Sequence, residues 1–382
     1  MAKILIYCLS MKPNNPFLIE GYYSPEYFCD RKRETAALVS ALENDRNVTL
    51  IAPRRMGKSG LVKHVFHELQ QGDEFKCAYI DLFGTQNLAE FVRAFASGVF
   101  SAYESTLEKA TAVASKFLMG FRPTLAIDAF GNRKYSFEIA PSFAEATLTG
   151  VFDYLESRKF RTVVALDEFQ QIAEYPEKGT EALLRSRIQF LAGNRFIFSG
   201  SRQHMMAEMF VSAKRPFYHS TQLMHIGEID KDEYYAFAAG HFKVAGISLP
   251  QDVFNSVYER FSGITWYVQA VMNRLYETRV QTVTEEDVKS AIEWLVAAGA
   301  YEFQGILQNC SDGAVRLLKA LAKEGIVKEP NSGEFVARHS FKSASSVNAA
   351  LKSLRNADLV DRTDAGYLVY DRLFALWLSR LP

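Results

Sequence analysis

The sequence predicts an α/β fold: a parallel-sheet core carrying a phosphate-binding P-loop, then an all-α lid and a C-terminal winged helix-turn-helix. Three observations predict it. Residues 48 to 63 pass from a β-branched apolar run through a loop ending Gly57-Lys58-Ser59 into an amphipathic helix. Strand-like and helix-like segments alternate to about residue 225 and give way to helices only. The chain then closes with three helices and a hairpin, the pattern of a winged helix.

The loop has the chemistry of a phosphate cradle. A triphosphate needs inward-facing backbone N–H groups, the positive end of a helix beneath them, an ammonium, and a hydroxyl for Mg²⁺. Gly57 permits close backbone approach, Lys58 supplies the ammonium and Ser59 the hydroxyl. Met56 and Gly60 complete the cofactor-binding stretch, and Leu61, Val62, Val65, Phe66 and Leu69 recur at helical spacing behind it. The usual pattern starts with Gly six positions before the Lys, where this chain has Ala52, a methyl tolerated at negative φ. Arg54 and Arg55 add positive charge beside the phosphates or pair with acids at the sheet edge.

Composition narrows the remaining choices. With 382 residues, 48% hydrophobic and 13% aromatic, the chain has material for two or three cores. Its 44 basic and 44 acidic residues cancel, so nucleic-acid or membrane contact would need a local patch. Cys8, Cys29, Cys77 and Cys310 show neither paired nor metal-ligand spacing, which argues against a disulfide framework or zinc site and suits a reducing, cytoplasmic setting. Lys3 followed by Ile4 to Leu9 resembles a stunted signal peptide; the blander expectation is that Met11 is the true start, preceded by a disordered stretch or weak strand. No apolar segment is long enough to span a bilayer, so no membrane partner is expected. Seven scattered histidines and the lack of a Gly-x-Ser-x-Gly elbow leave other enzyme classes unsupported.

In chain order, residues 1–20 read as an N-terminal extension, 21–228 as the P-loop core, 229–300 as the lid and 301–382 as the winged helix. Asp30 is expected to cap a helix over Arg31 to Leu42. Strands are expected at Val48–Ile51, Cys77–Leu82, Arg161–Leu166, Arg195–Phe198 and Gln222–Ile226, with helices between them. Asn87 to Arg158 reads as helices interrupted near Arg122-Pro123 and Gly131-Asn132, its aromatics serving as core. Helical runs follow from Asp230 to Ala298. The last module has helices from Ser311-Asp312, near Phe335 to Phe341, and over Ala344 to Asn356, then a hairpin turning at Thr363-Asp364-Ala365-Gly366.

Thr162 to Glu168 is an apolar strand ending in two acids. Asp167 at the tip is the expected metal-side acid and Glu168 the expected general base, polarising the attacking water. An extra strand, Cys77–Leu82, falls between the cradle and this acid pair. Phe196-Ile197-Phe198 runs into Ser199-Gly200-Ser201, so Ser199 or Ser201 would sense a γ-phosphate, although Ser201 would equally cap the next helix. Arg202 reads as a solvated helix residue.

These features together, with Phe28-Cys29-Asp30-Arg31 and the C-terminal Ser343 to Val347 and Tyr370 to Phe374 stretches, resemble the archaeal-type ATPases of the STAND class. Those are AAA+-related P-loop NTPases with a helical lid and a winged helix. The resemblance runs from about Phe17 to Pro382. It implies ATP/ADP and Mg²⁺ as cofactors, with Lys58 and Glu168 catalytic, Ser59 and Asp167 on the metal, and Phe28 to Arg31 near the adenine. It also implies slow hydrolysis that switches lid and winged helix, and self-association when ATP is bound. Two departures stand out: Pro216-Phe217-Tyr218-His219-Ser220 lacks an arginine where relatives often have one, and Gly263-Ile264-Thr265-Trp266 replaces a Gly-x-Pro in the lid.

An alternative is a DNA-binding regulator in which the nucleotide is an allosteric ligand. The third helix of the last module offers Ser345, Ser346, Asn348, Lys352 and Arg355. From Tyr301 onward, 11 Lys/Arg against 9 Asp/Glu give a net of +2, so a protein partner or internal packing fits that module as well as DNA.

Overall fold

The apolar run Val48–Ile51 forms β1 and is buried along its whole length, as a strand covered on both faces should be. The structure is a computed structural model, described for residues 12–72, 74–104, 107–118, 121–127 and 133–381. The expectations placed on the first eleven residues and on Gly131-Asn132 lie outside the described residues. Two compact units emerge: Leu18–Phe237 with Ile264–Trp266, and Met1–Phe17 with Ala238–Gly263 and Tyr267–Pro382.

In the first unit, α1 (Lys32–Glu43) precedes β1, and α2 (Lys58–Leu69) follows the cradle. The chain continues through β2 (Phe75–Asp81), α3 (Leu88–Tyr103), α4 (Leu107–Phe117), β3 (Phe121–Ile127), β4 (Arg133–Ile139) and α5 (Ala144–Glu156). It then runs through β5 (Arg161–Asp167), α6 (Thr180–Ile188), β6 (Asn194–Gly200), α7 (Gln203–Val211) and β7 (Gln222–His225). Five strands make one parallel sheet in the order β2-β5-β6-β1-β7. Its two faces bury separate clusters: Leu50, Leu61, Val65, Val163 and Ile197 on one, and Phe91, Phe95, Val164, Phe196 and Phe198 on the other. All five carboxyl ends therefore meet at one edge, where open α/β sheets hold ligands.

Three expectations need correction. Asp30 does not cap α1: Asp30 and Arg31 both have positive φ, Arg31 takes the N-cap position, and no side chain caps the helix. The Asn87–Arg158 stretch is not all helical, since β3 and β4 form an antiparallel hairpin with Pro123 opposite Phe137. Phe137 packs on α3 with its ring 5.6 Å from that of Phe100. The strand lying between cradle and acid pair in the sheet is β6, while β2, which intervenes in sequence, pairs on the far side of β5.

α8 (Lys231–Val244) crosses from the first unit into the second, where α9 (Gln251–Arg260), α10 (Thr265–Thr278), α11 (Glu285–Ala298) and α12 (Ala300–Gln308) follow. A capping box between Thr284 and Asp287 starts α11. The chain ends with α13 (Asp312–Glu324), α14 (Gly333–Arg338), α15 (Ala344–Asn356), the hairpin β8 (Val360–Thr363) and β9 (Gly366–Val369), and α16 (Arg372–Ser379). Leu317, Leu318 and Leu321 of α13 and Val347, Leu351 and Leu354 of α15 are buried, giving this module its core. α14 ends at Arg338, short of the expected Phe341. Among the described residues, no helix is long and apolar enough to cross a membrane.

Candidate nucleotide site

The cradle leaves β1 at Ala52 and turns through Arg55 (φ 69°) and Gly57 (φ 84°) before α2 begins at Lys58. A left-handed residue at a helix start suits glycine, and a Cβ on Gly57 would be strained by backbone alone. The first N–H groups of α2 point out of this turn, forming the positive end of the helix. Lys58 is only 6% exposed, and its ammonium donates to Ala52 O at 3.2 Å and Pro53 O at 3.1 Å. Burial pulls its pKa below the ordinary value, opposed by the negative charges of Glu168 and Asp167.

Register brings the acids to the cradle. Leu166 on β5 stands opposite Phe198 on β6, so both strands end together. Asp167 is buried and accepts hydrogen bonds on both oxygens. Oδ2 accepts from Ser59 Oγ at 2.8 Å and from the Tyr79 hydroxyl; Oδ1 accepts from Ser199 Oγ at 2.5 Å and Glu168 N at 3.1 Å. Burial alone would raise this carboxyl's pKa, but the hydrogen bonds from Ser199, Tyr79 and Ser59, with the Lys58 charge, hold it below the ordinary value. Asp167 is thus kept ionised beside the Ser59 hydroxyl. Ser199 is fully buried with its proton directed to Asp167.

Glu168 turns off the strand with φ 54°. Its Oε2 accepts from Ser201 Oγ at 2.8 Å and Gln170 Nε2 at 2.5 Å. The Ser201 hydroxyl serves Glu168, and α7 has no side-chain cap. Arg54 Nε reaches Ser201 Oγ at 3.2 Å, so this cradle arginine joins the acid side through a hydroxyl. Arg202 pairs with Glu174.

The cradle is braced from behind. Arg31, 3% exposed, donates to Met56 O at 3.1 Å and pairs with Glu34 at 2.8 Å. Trp266 N donates to Arg55 O at 3.0 Å, and the Arg55 guanidinium lies 4.6 Å from the Trp266 ring centroid. Thr265 Oγ1 donates to Met56 O at 3.4 Å. The Gly263-Ile264-Thr265-Trp266 departure thus places a hydroxyl, an N–H and an indole against the loop. Phe28 stacks on His64 at 4.4 Å, and a Cβ on Gly60 would come within 3.5 Å of its ring.

The sequence-expected residues Arg54, Ser59, Asp167, Glu168, Ser199 and Ser201 are joined by one hydrogen-bonded chain at the sheet edge, with Lys58 beside it. Phe28 and Arg31 touch the base of the cradle from outside that chain. Tyr79, Gln170 and Trp266 were not expected here. Strand parity offered one clue, because Tyr79 shares a sheet face with Asp81, which pairs opposite Asp167.

The donor set suits the implied Mg²⁺ and nucleotide. A serine hydroxyl 2.8 Å from an ionised carboxylate is a hard-oxygen pair suited to Mg²⁺, which binds through one or two carboxylates and phosphate oxygens. Among the described residues, no group of three His, Cys, Asp or Glu could hold a metal ion, so phosphate and water oxygens would complete the shell. The residues present fit both groups.

Residues 28–271, over half the chain, match the family model described as "ATPase domain predominantly from Archaea", and residues 301–380 match one described as "Probable winged helix domain". No curated protein sequence matches the chain. A Walker-type ATPase of Pyrococcus abyssi shares the fold with TM-score 0.65 and 20% identity, covering 95% of this chain and 99% of its own. The ORC2 protein of Aeropyrum pernix, solved as ADPNP and ADP complexes, has TM-score 0.60 and 18% identity, covering 96% and 97%. The ORC1 protein of the same organism, solved with DNA, has TM-score 0.56 and 14% identity, covering 96% of each chain. A parallel-sheet P-loop core, its acid-tipped strand β5 and the match over residues 28–271 make this chain a member of the family of ATPase domains found predominantly in Archaea.

Proposed function

We propose that this chain binds ATP with Mg²⁺ and hydrolyses it slowly, as a molecular switch of the AAA+/STAND type whose nucleotide state governs the lid and the winged helix. The observation that carries this reading is the 2.8 Å hydrogen bond from Ser59 Oγ to Asp167 Oδ2, which ties the cradle helix to the acid strand. Ser59 and Asp167 are the residues that would hold Mg²⁺, which when bound would supply charge neutralisation at the phosphates. The Ser59 hydroxyl donates its proton to Asp167, and its oxygen would serve as a ligand to the metal. Lys58 exchanges the carbonyls of Ala52 and Pro53 for phosphate oxygens, which compensates the burial of its charge. Arg54 adds charge at the same edge, and the Phe28 to Arg31 stretch lies toward the base. Glu168, oriented through Oε2 by Ser201 and Gln170, accepts a proton from the attacking water.

Glu168→Gln should leave ATP affinity near parental and lower turnover about 10²- to 10⁴-fold. Parental turnover in that variant would remove Glu168 from the role of base.

A second reading rests on α15, whose Ser345, Asn348, Lys352 and Arg355 are exposed opposite the buried Val347, Leu351 and Leu354. That polar face is free to meet DNA, and the ORC1 protein of the same fold was solved with DNA. Duplex binding that weakens steeply with salt would support it. The module's near-neutral charge favours a protein contact instead, including contact with another ATP-bound copy.

A further inference from the structure

Before its first core helix the chain is fixed at two places, and these belong to different units. Pro16 and Phe17 are buried, and Phe17 belongs with Ala238–Gly263 and Tyr267–Pro382. Its ring packs among those of Phe242, Tyr276 and His241, with centroids 5.3, 5.8 and 5.9 Å away. Asn15 Nδ2 donates to Asn273 O at 2.9 Å, Asn273 Nδ2 donates to Phe17 O at 2.7 Å, and Phe17 N donates to Asn15 Oδ1 at 3.1 Å. Two amide side chains and an aromatic peg thus pin this stretch to α8 and α10.

Tyr22, five residues on, is anchored in the unit that carries the cradle. Its hydroxyl shares a 3.0 Å hydrogen bond with Nδ1 of His64 on the cradle helix α2, and its ring meets Phe28 edge-on at 5.8 Å. Phe28 stacks on His64 beside Gly60, and Arg31 donates to Met56 O inside the cradle. Among the described residues, Leu18 to Gly21 make no hydrogen bond, and Ile19, Glu20 and Gly21 are exposed. The span between the anchors is therefore bare, and its five Cα steps reach at most about 18 Å.

We propose that residues 15–31 form a strap coupling the helical unit to the nucleotide cradle, with the short span from Phe17 to Tyr22 keeping Phe28 and Arg31 seated on α2 and Met56. α8 and α10 also pass from one unit to the other, but the residues expected beside the base lie on the strap. Seating them before the ligand arrives lowers the ordering cost of binding. By linkage, whatever loosens the Phe17 peg should weaken nucleotide affinity.

This inference rests on the nucleotide reading above, and its test separates the two. Six Gly/Ser residues inserted after Glu20 in the full chain leave every anchor contact available while stretching the permitted reach to about 40 Å. Calorimetry with ADP and Mg²⁺ should show affinity about 5-fold weaker than in the parental protein. Phe17→Ala should cause a similar loss with the parental strap, and less than about 2-fold further loss with the lengthened one, because that strap is already slack. The insertion decides by itself should Phe17→Ala fail to fold. Unchanged affinity in the lengthened protein, or an equal loss from Phe17→Ala in both backgrounds, overturns the strap and leaves the nucleotide reading intact. Absence of ADP binding by the parental protein overturns both.

Discussion

The stack between Arg55 and Trp266 makes a quantitative prediction about how the cradle is held ready. Arg55 sits in a left-handed conformation at φ 69°, which costs a non-glycine residue about 1–2 kcal/mol. Its guanidinium is 4.6 Å from the indole centroid, and both side chains are half-buried. At that distance and exposure the contact contributes about 0.5–2 kcal/mol. The backbone bond from Trp266 N to Arg55 O survives side-chain truncation, so a double-mutant cycle isolates the side-chain term. A loop that is ordered before its ligand arrives loses less freedom on binding. Arg55→Ala and Trp266→Ala should each weaken ADP binding by about 2- to 30-fold, the equivalent of the stack. The double variant should be no weaker than the worse single, because both remove the same contact. Calorimetric titration with ADP and Mg²⁺ measures all four corners. Fold-losses that simply multiply in the double variant would refute the claim that the stack organises the loop.

Acid stability should carry a signature of Asp167. Its folded pKa lies below the ordinary 3.8, so its stabilisation is complete above that value and is lost as pH falls through the folded one. Asp167→Asn should flatten that acid limb in denaturation curves taken at successive pH. Lys58 gives the opposite case: its charge is disfavoured by burial, a cost fully present below its lowered folded pKa and fading as pH rises toward 10.5. Lys58→Met should abolish nucleotide binding and remove the parental gain in stability over that alkaline window, both visible in thermal melts with and without ATP. Gly200 has no space for a side chain, since a Cβ would overlap Gln170 Oε1 and lie 2.7 Å from Met206 Sδ. Gly200→Ala should cost about 1–3 kcal/mol of stability. By displacing Gln170 from Glu168 it should also lower turnover more than affinity, as steady-state kinetics would show.

The cradle, the acid strand and the terminal hairpin were legible because each is specified locally. Val48–Ile51 is continuous and β-branched, Gly57 marks the left-handed turn, and the Thr363 to Gly366 turn fixes the hairpin register. The β3–β4 hairpin was missed because Arg122-Pro123 reads as a breaker. In a two-stranded ribbon each strand has an outer edge, and there a proline's missing N–H costs no ladder bond. The Asp30 cap failed for a long-range reason: Arg31 is drawn to Met56 O, 25 positions away, and the chain turns left-handed to deliver it. Tyr79 was invisible for the same kind of reason. An aromatic in a strand reads as core until the parallel register shows that its hydroxyl reaches an acid 88 positions later.

At the opposite rim of the sheet, Asp45 accepts from Arg161 at 2.9 Å and pairs with Arg195 at 2.8 Å, the first residue of β5 and the second of β6. Arg161 also ties to the carbonyls of Leu42 and Glu43 and to the Glu74 carboxylate. About 13 to 20 Å further on, those same two strands deliver Ser199 and Asp167, so this carboxylate acts as a tuning peg for strings whose music is made at the other end. Losing it would loosen the anchorage of both strands at that rim, a change of about 1 kcal/mol or less for so exposed a pair. Asp167 and Ser199 thus share, at the far rim, a tether that touches neither of them.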